Sequence, residues 1–88
     1  MADFLHTREY IRSDQAVCVT IDIAANVMLL TDTNLNKYRR GQPYDYYGGY
    51  YKRSPIYIRP PRSDYYNVVI DLGGGSGTVR HSISVVDA

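Results

Sequence analysis

Tryptophan is absent from this chain, and phenylalanine and cysteine occur once each among 88 residues. The single thiol, Cys18, excludes an internal disulfide framework and fits a protein of a reducing cytoplasm. No apolar run approaches the ~20 residues that a membrane helix requires. The N-terminal stretch MADFLHTREYIR has no basic segment leading into an apolar one, so no signal peptide is expected. The length accommodates one domain, residues 1–88, with a small core. No internal repeat appears, and no strand–helix alternation points to a parallel sheet.

Tyrosine is what the chain has instead. Nine of its ten tyrosines lie between Lys37 and Tyr66, together with seven Lys or Arg and two Asp, a local net charge of +5. The flanks carry three Lys or Arg against seven Asp or Glu, a net −4, so a near-neutral total hides a basic middle between acidic arms.

The strand signal is strong. Val17, Val19, Ile21 and Ile23 alternate with Cys18, Thr20 and Asp22, a period-two pattern of β-branched residues. Ala24-Ala25-Asn26 reads as a tight turn, with Asn26 able to take a left-handed conformation. Val27 to Thr31 follows as a strand, so residues 15–31 are expected to form a hairpin. Residues 1–14 suit a short edge strand or an irregular arm, with Phe4, Leu5 and Ile11 over one end of the core.

Residues 32–41 support one or two helical turns, capped by Asp32 or Thr33 and ended by Gly41. Gly48-Gly49 suggests a turn between two short strands or a bulge within one. Ile56-Tyr57-Ile58 resumes alternation after Ser54-Pro55, and Arg59 to Asp64 is a loop around two prolines.

Tyr65 to Leu72 is another strand, with Tyr66, Val68, Ile70 and Leu72 on one face. Thr78 to Val86 is the last, with Val79, His81, Ile83 and Val85 alternating. The expected core is Val17, Val19, Ile21, Val68, Ile70, Val79, Ile83 and Val85. Five to seven short strands and at most one short helical turn give an all-β fold, a small antiparallel sandwich or a partly open barrel.

Tyr47-Gly48-Gly49, Arg53-Ser54-Pro55 and Val68-Val69-Ile70-Asp71-Leu72-Gly73-Gly74 leading to Gly77-Thr78-Val79-Arg80 resemble an uncharacterised bacterial family, domain of unknown function 1883. Phe4-Leu5-His6 and Ala25-Asn26-Val27 are similar as well, so the resemblance spans nearly the whole chain. The family occurs alone and fused to Toll/interleukin-receptor-like domains. The resemblance implies an all-β module that senses or binds something, and it supplies no catalytic residue.

Gly73 to Gly77, preceded by Asp71-Leu72, resembles the phosphate-binding turn of actin and sugar-kinase ATPases. Here a strand follows rather than a helix, so a hairpin loop without a phosphate ligand is the better account. Asp22, Asp32 and Asp71 match no metal-loop spacing, and His6 and His81 lie at opposite ends of the chain. His81 falls on the apolar face of its strand and is expected to be a packed, hydrogen-bonded core or interface histidine. Cys18 faces away from Val17 and Val19 with no activating base in view.

The expected working surface is Tyr44, Tyr46, Tyr47, Tyr50, Tyr51, Lys52, Arg53, Arg59 and Arg62, unless the core absorbs half of the tyrosines. Tyrosine offers a large apolar face with a polar tip, and arginine adds donors and charge. This composition suits self-association or a protein partner first and a small ligand such as a sugar or nucleotide second. Nucleic acid is less favoured because the overall charge is only +1. No nucleophile–base pair, metal or cofactor motif points to an enzyme.

Overall fold

The computed structural model describes residues 4–72 and 80–88. Seven strands and one helix follow in order among these residues: β1 (Phe4–Ile11), β2 (Gln15–Ile21), β3 (Ala25–Leu30), α1 (Asp32–Arg39), β4 (Tyr47–Tyr51), β5 (Ile56–Ile58), β6 (Asp64–Asp71) and β7 (His81–Asp87). They form two antiparallel sheets, one ordered β1-β6-β3-β4 and the other β5-β2-β7. The molecule is thus a small all-β sandwich.

Alternation places the core between the sheets. Val27, Leu29, Tyr66, Val68, Ile70 and Ile11 come from the four-stranded sheet, and Val17, Val19, Ile56 and Ile58 from the three-stranded one. Each buried Val or Ile contributes about 1.5–3 kcal/mol. Ile21, Ile83 and Val85 are half-buried and pack against this cluster. Val79 and the run from Gly73 to Gly77 lie outside the described residues.

β6 is buried on both faces from Tyr66 to Ile70. Its second face joins Met28, Leu30 and Leu35 through Val69, in a smaller cluster that α1 covers. Thr31, not Asp32 or Thr33, caps the helix, its hydroxyl accepting from the Asn34 amide at 3.3 Å. Gly41 ends it at φ +70°, with the Gly41 amide donating to Tyr38 and the Gln42 amide to Lys37, the paired bonds of a glycine-terminated helix.

Several expectations are corrected here. Residues 15–31 are not a hairpin, because β2 and β3 belong to different sheets. Asn26 has no left-handed turn conformation; it lies within β3, opposite Tyr50 and Asp71. Ile23 is exposed in the crossing after β2. That strand ends where Ser54 takes both backbone groups of Ile21, its hydroxyl accepting from the amide at 2.8 Å and donating to the carbonyl at 2.9 Å.

β6 and β7 also lie in different sheets. His81 is exposed at the start of β7 and is not part of the core. Gly48-Gly49 is neither a turn nor a bulge, for β4 pairs with β3 residue by residue from Ala25↔Tyr51 to Leu29↔Tyr47.

Candidate functional site

Alternation along β4 splits its tyrosines between two faces. Tyr47 and Tyr51 share the inner side with Val27 and Leu29 across the ladder. Tyr51 packs against the core, and Tyr47 meets Tyr66 edge-on at 6.4 Å between ring centres. Tyr50 points to the outer face and is 60% exposed.

Before β4, Tyr44 is half-buried. Its hydroxyl reaches Met28 Sδ at 3.9 Å, and its ring meets Tyr38 at 5.1 Å and Tyr46 at 5.6 Å. Burial pushes the Tyr38 and Tyr44 phenols up, and for Tyr38 a hydrogen bond to Asp71 adds to the effect. The Tyr44–Met28 contact closes the small cluster beneath α1, while Tyr46 stays exposed.

The tyrosines are therefore mostly surface. Only Tyr66 is fully buried, its hydroxyl donating to the Arg62 carbonyl at 2.9 Å. Tyr10, Tyr46, Tyr47, Tyr50, Tyr57 and Tyr65 are all exposed. Close packing in so thin a sandwich favours aliphatic side chains between the sheets.

The basic residues do not converge. Lys52 and Arg53 follow β4 at the end of the sandwich where Ser54 meets Ile21. Arg59 donates from Nε to the Ser13 carbonyl at 3.1 Å, beside the opposite end of β2. Arg62 lies in the same far loop, next to Ser63, whose hydroxyl accepts from the Ser13 amide. Lys52 and Arg53 thus accompany the β4 tyrosines, and Arg59 and Arg62 do not.

A second cluster occupies the outer face of the four-stranded sheet, on β1, β6 and the first turn of α1. Asn67 is 1% exposed. Its side-chain amide donates to the Leu30 carbonyl at 3.1 Å and to Asp32 Oδ1 at 2.8 Å, and its Oδ1 is 2.7 Å from His6 Nε2.

Arg8 grips the same Asp32 through two bonds of 3.1 and 2.9 Å, and its guanidinium lies 4.2 Å from the Tyr65 ring centre. Tyr65 in turn meets Tyr10 edge-on at 5.1 Å. The Arg8 and Asn67 bonds hold the Asp32 carboxyl below the usual aspartate range. Sequence reasoning missed this cluster. Its one signal was His6, Arg8 and Tyr10 at every second position, in a segment expected to be a short edge strand or an irregular arm and found as the end strand β1.

An open pocket of about 330 Å³ lies at the end of the three-stranded sheet, lined by Thr20, Ile21, Asp22, Arg80, His81 and Ser82. The outer face of that sheet carries Tyr57, hydrogen-bonded to Cys18, which pushes the phenol up. Among the described residues no three His, Cys, Asp or Glu side chains converge where a metal ion would sit. No helix among them is long and apolar enough to cross a membrane.

An all-β sandwich with a tyrosine-lined edge strand is the class that these observations define. The model of a domain of unknown function, DUF1883, matches residues 2–88, and the chain belongs to that family. No curated protein and no solved structure matches the chain.

Proposed function

We propose that this chain is a non-catalytic interaction module working in the cytoplasm, and that protein–protein association, with a second copy first, is its role. The observation that carries the reading is β4. It is the end strand of its sheet, Tyr47 and Tyr50 are exposed along it, and Tyr46 is exposed immediately before it. Among the described residues neither Lys52 nor Arg53 has an ion-pair partner. Exposed aromatic residues beside unpaired cations are the composition of a protein interface. Nucleic acid is a poorer fit, because Lys52 and Arg53 sit at the opposite end from Arg59 and Arg62, and Arg8 and Arg12 are ion-paired. A phosphate backbone needs a continuous track of free cations.

The alternative is a sensor of a small ligand such as a sugar or nucleotide. It draws on the open pocket that combines Asp22, Arg80 and His81 with the hydroxyls of Thr20 and Ser82.

The test is sedimentation velocity over a concentration series at low and high salt, on the natural chain and on Tyr46→Ser with Tyr50→Ser. Both positions are exposed, so circular dichroism should report an unchanged fold. Association that survives salt and weakens in the variant is expected. Association that ignores both tyrosines would overturn the reading, as would a strictly monomeric protein that binds a single-stranded oligonucleotide with steep salt dependence.

A further inference from the structure

We propose that two copies of this chain pair through β4, antiparallel across a two-fold axis at Gly49, so that two four-stranded sheets become one. The proposal rests on reading the chain as a self-associating module, and it names the strand, the register and the partner.

The four sheet edges differ in how they resist pairing. β1 carries His6, Arg8 and Glu9, and β7 begins at His81 and ends at Asp87. β5 has three residues and runs into Arg59-Pro60-Pro61. Charges, short strands and prolines are the common means of blocking an edge. β4 has none of them: its sequence is Tyr-Gly-Gly-Tyr-Tyr. Among the described residues its outward backbone groups have no partner.

The partner follows from the sequence around that edge. Asp45-Tyr46-Tyr47-Gly48-Gly49-Tyr50-Tyr51-Lys52-Arg53 is self-complementary about its central residue. Reversed against itself, it sets Asp45 opposite Arg53, Tyr46 opposite Lys52, Tyr47 opposite Tyr51 and Gly48 opposite Tyr50. Each opposition occurs twice, as an isologous interface demands. The ring of Tyr50 lies over the bare backbone of Gly48, where no side chain competes for the space.

Other registers fail. Outward-directed backbone groups alternate along a strand, so the two-fold axis must pass through a residue. Centring on Gly48 sets Arg53 against Pro43 and leaves both charges unmatched. Centring on Tyr50 sets Asp45 against Pro55. Only Gly49 pairs opposite charges and keeps proline out of the ladder. Asp45 and Arg53 are both exposed, and neither has an ion-pair partner among the described residues.

The test exchanges the two charges and measures self-association by sedimentation equilibrium. Asp45→Arg alone and Arg53→Asp alone each set like charges opposite one another twice, and each should weaken the dimer about tenfold. Mixing the two single variants restores both opposite-charge pairs and should return a heterodimer as tight as the natural dimer. Carrying both changes in one chain should restore the homodimer.

A second measurement does not depend on charge. Gly49→Cys in a Cys18→Ser chain places two thiols across the axis at the ~5 Å separation of facing residues, which a disulfide spans. Nothing stands within 4 Å of a β-carbon at Gly49, so the fold tolerates the change. Rapid oxidation to a covalent dimer is expected.

A dimer that ignores the charge exchange and resists cross-linking overturns this register. The module reading survives that outcome if Tyr46→Ser with Tyr50→Ser still weakens association. A natural chain that stays monomeric at every concentration overturns the pairing outright.

Discussion

A β-carbon placed on Gly48 would collide with the carbonyl oxygen of Val27 on the neighbouring strand and stand 3.1 Å from Ile58 Cδ1. Gly48 also holds φ at +128°, which residues with a side chain rarely adopt. Its neighbour Gly49 has open space at the same position. Gly48→Ala is expected to destabilise the protein by about 1–3 kcal/mol, and Gly49→Ala by well under that. Urea unfolding of the two variants checks the contrast. Equal effects would show that β4 is not locked against β3 at Gly48.

Asn67 is a buried polar side chain with every group satisfied, bonded to Leu30, Asp32 and His6. Asn67→Ala removes the amide that donates to the Leu30 carbonyl and to Asp32, and is expected to cost about 1–3 kcal/mol. His6→Ala removes one partner at an exposed position and is expected to cost less. Chemical denaturation of both variants decides it. A neutral Asn67→Ala would mean that water replaces the amide without loss.

Acid should weaken the same corner. The Arg8 and Asn67 bonds hold the Asp32 carboxyl below its ordinary value of 3.8. A group whose pKa is lowered on folding contributes stability that is fully present above its unfolded value. That contribution is lost as pH falls through the folded value. Asp32→Asn should therefore lower the melting temperature slightly near about pH 7, and the gap should close towards about pH 3. The pair is exposed, so the gap is small. Thermal melts at several pH values give the answer, and a gap independent of pH would remove the charge from the explanation.

The core offers the largest effect. Ile70 is fully buried between the sheets, and Ile70→Ala is expected to cost about 2–5 kcal/mol. Val69 on the opposite side of the same strand is equally buried, beneath α1. Val69→Ala should also be clearly destabilising, which a sheet open on that side would not show. Equilibrium unfolding of the pair distinguishes a strand covered on both faces from one with a solvent-exposed face.

Much of the fold was legible because period-two burial marks which face of a strand looks inward. Val17 and Val19, Ile56 and Ile58, and Tyr66, Val68 and Ile70 all lie where their alternation placed them. Gly41 marked the end of α1, because a left-handed residue after a helix is most easily glycine. Alternation does not say which strand lies alongside which. β2 and β3 follow one another through three residues and still cross between sheets, since a crossing and a hairpin need equally short connections.

The site divides in the same way. The abundance of tyrosine beside lysine and arginine was plain in the residues. Their division between β4, the helix side and two opposite ends was not, because strand pairing and the Ser54 and Arg59 bonds set it across long sequence separations. Asn67 looked like one polar residue in an apolar strand. Only the packing of α1 over β6, with Asp32 and His6 brought to its amide, made it the centre of a network. Composition and local period determined the strands, the helix stop and the store of tyrosine. Contacts between distant residues, which no local pattern encodes, decided the sheet order, the free edge and the cluster around Asn67.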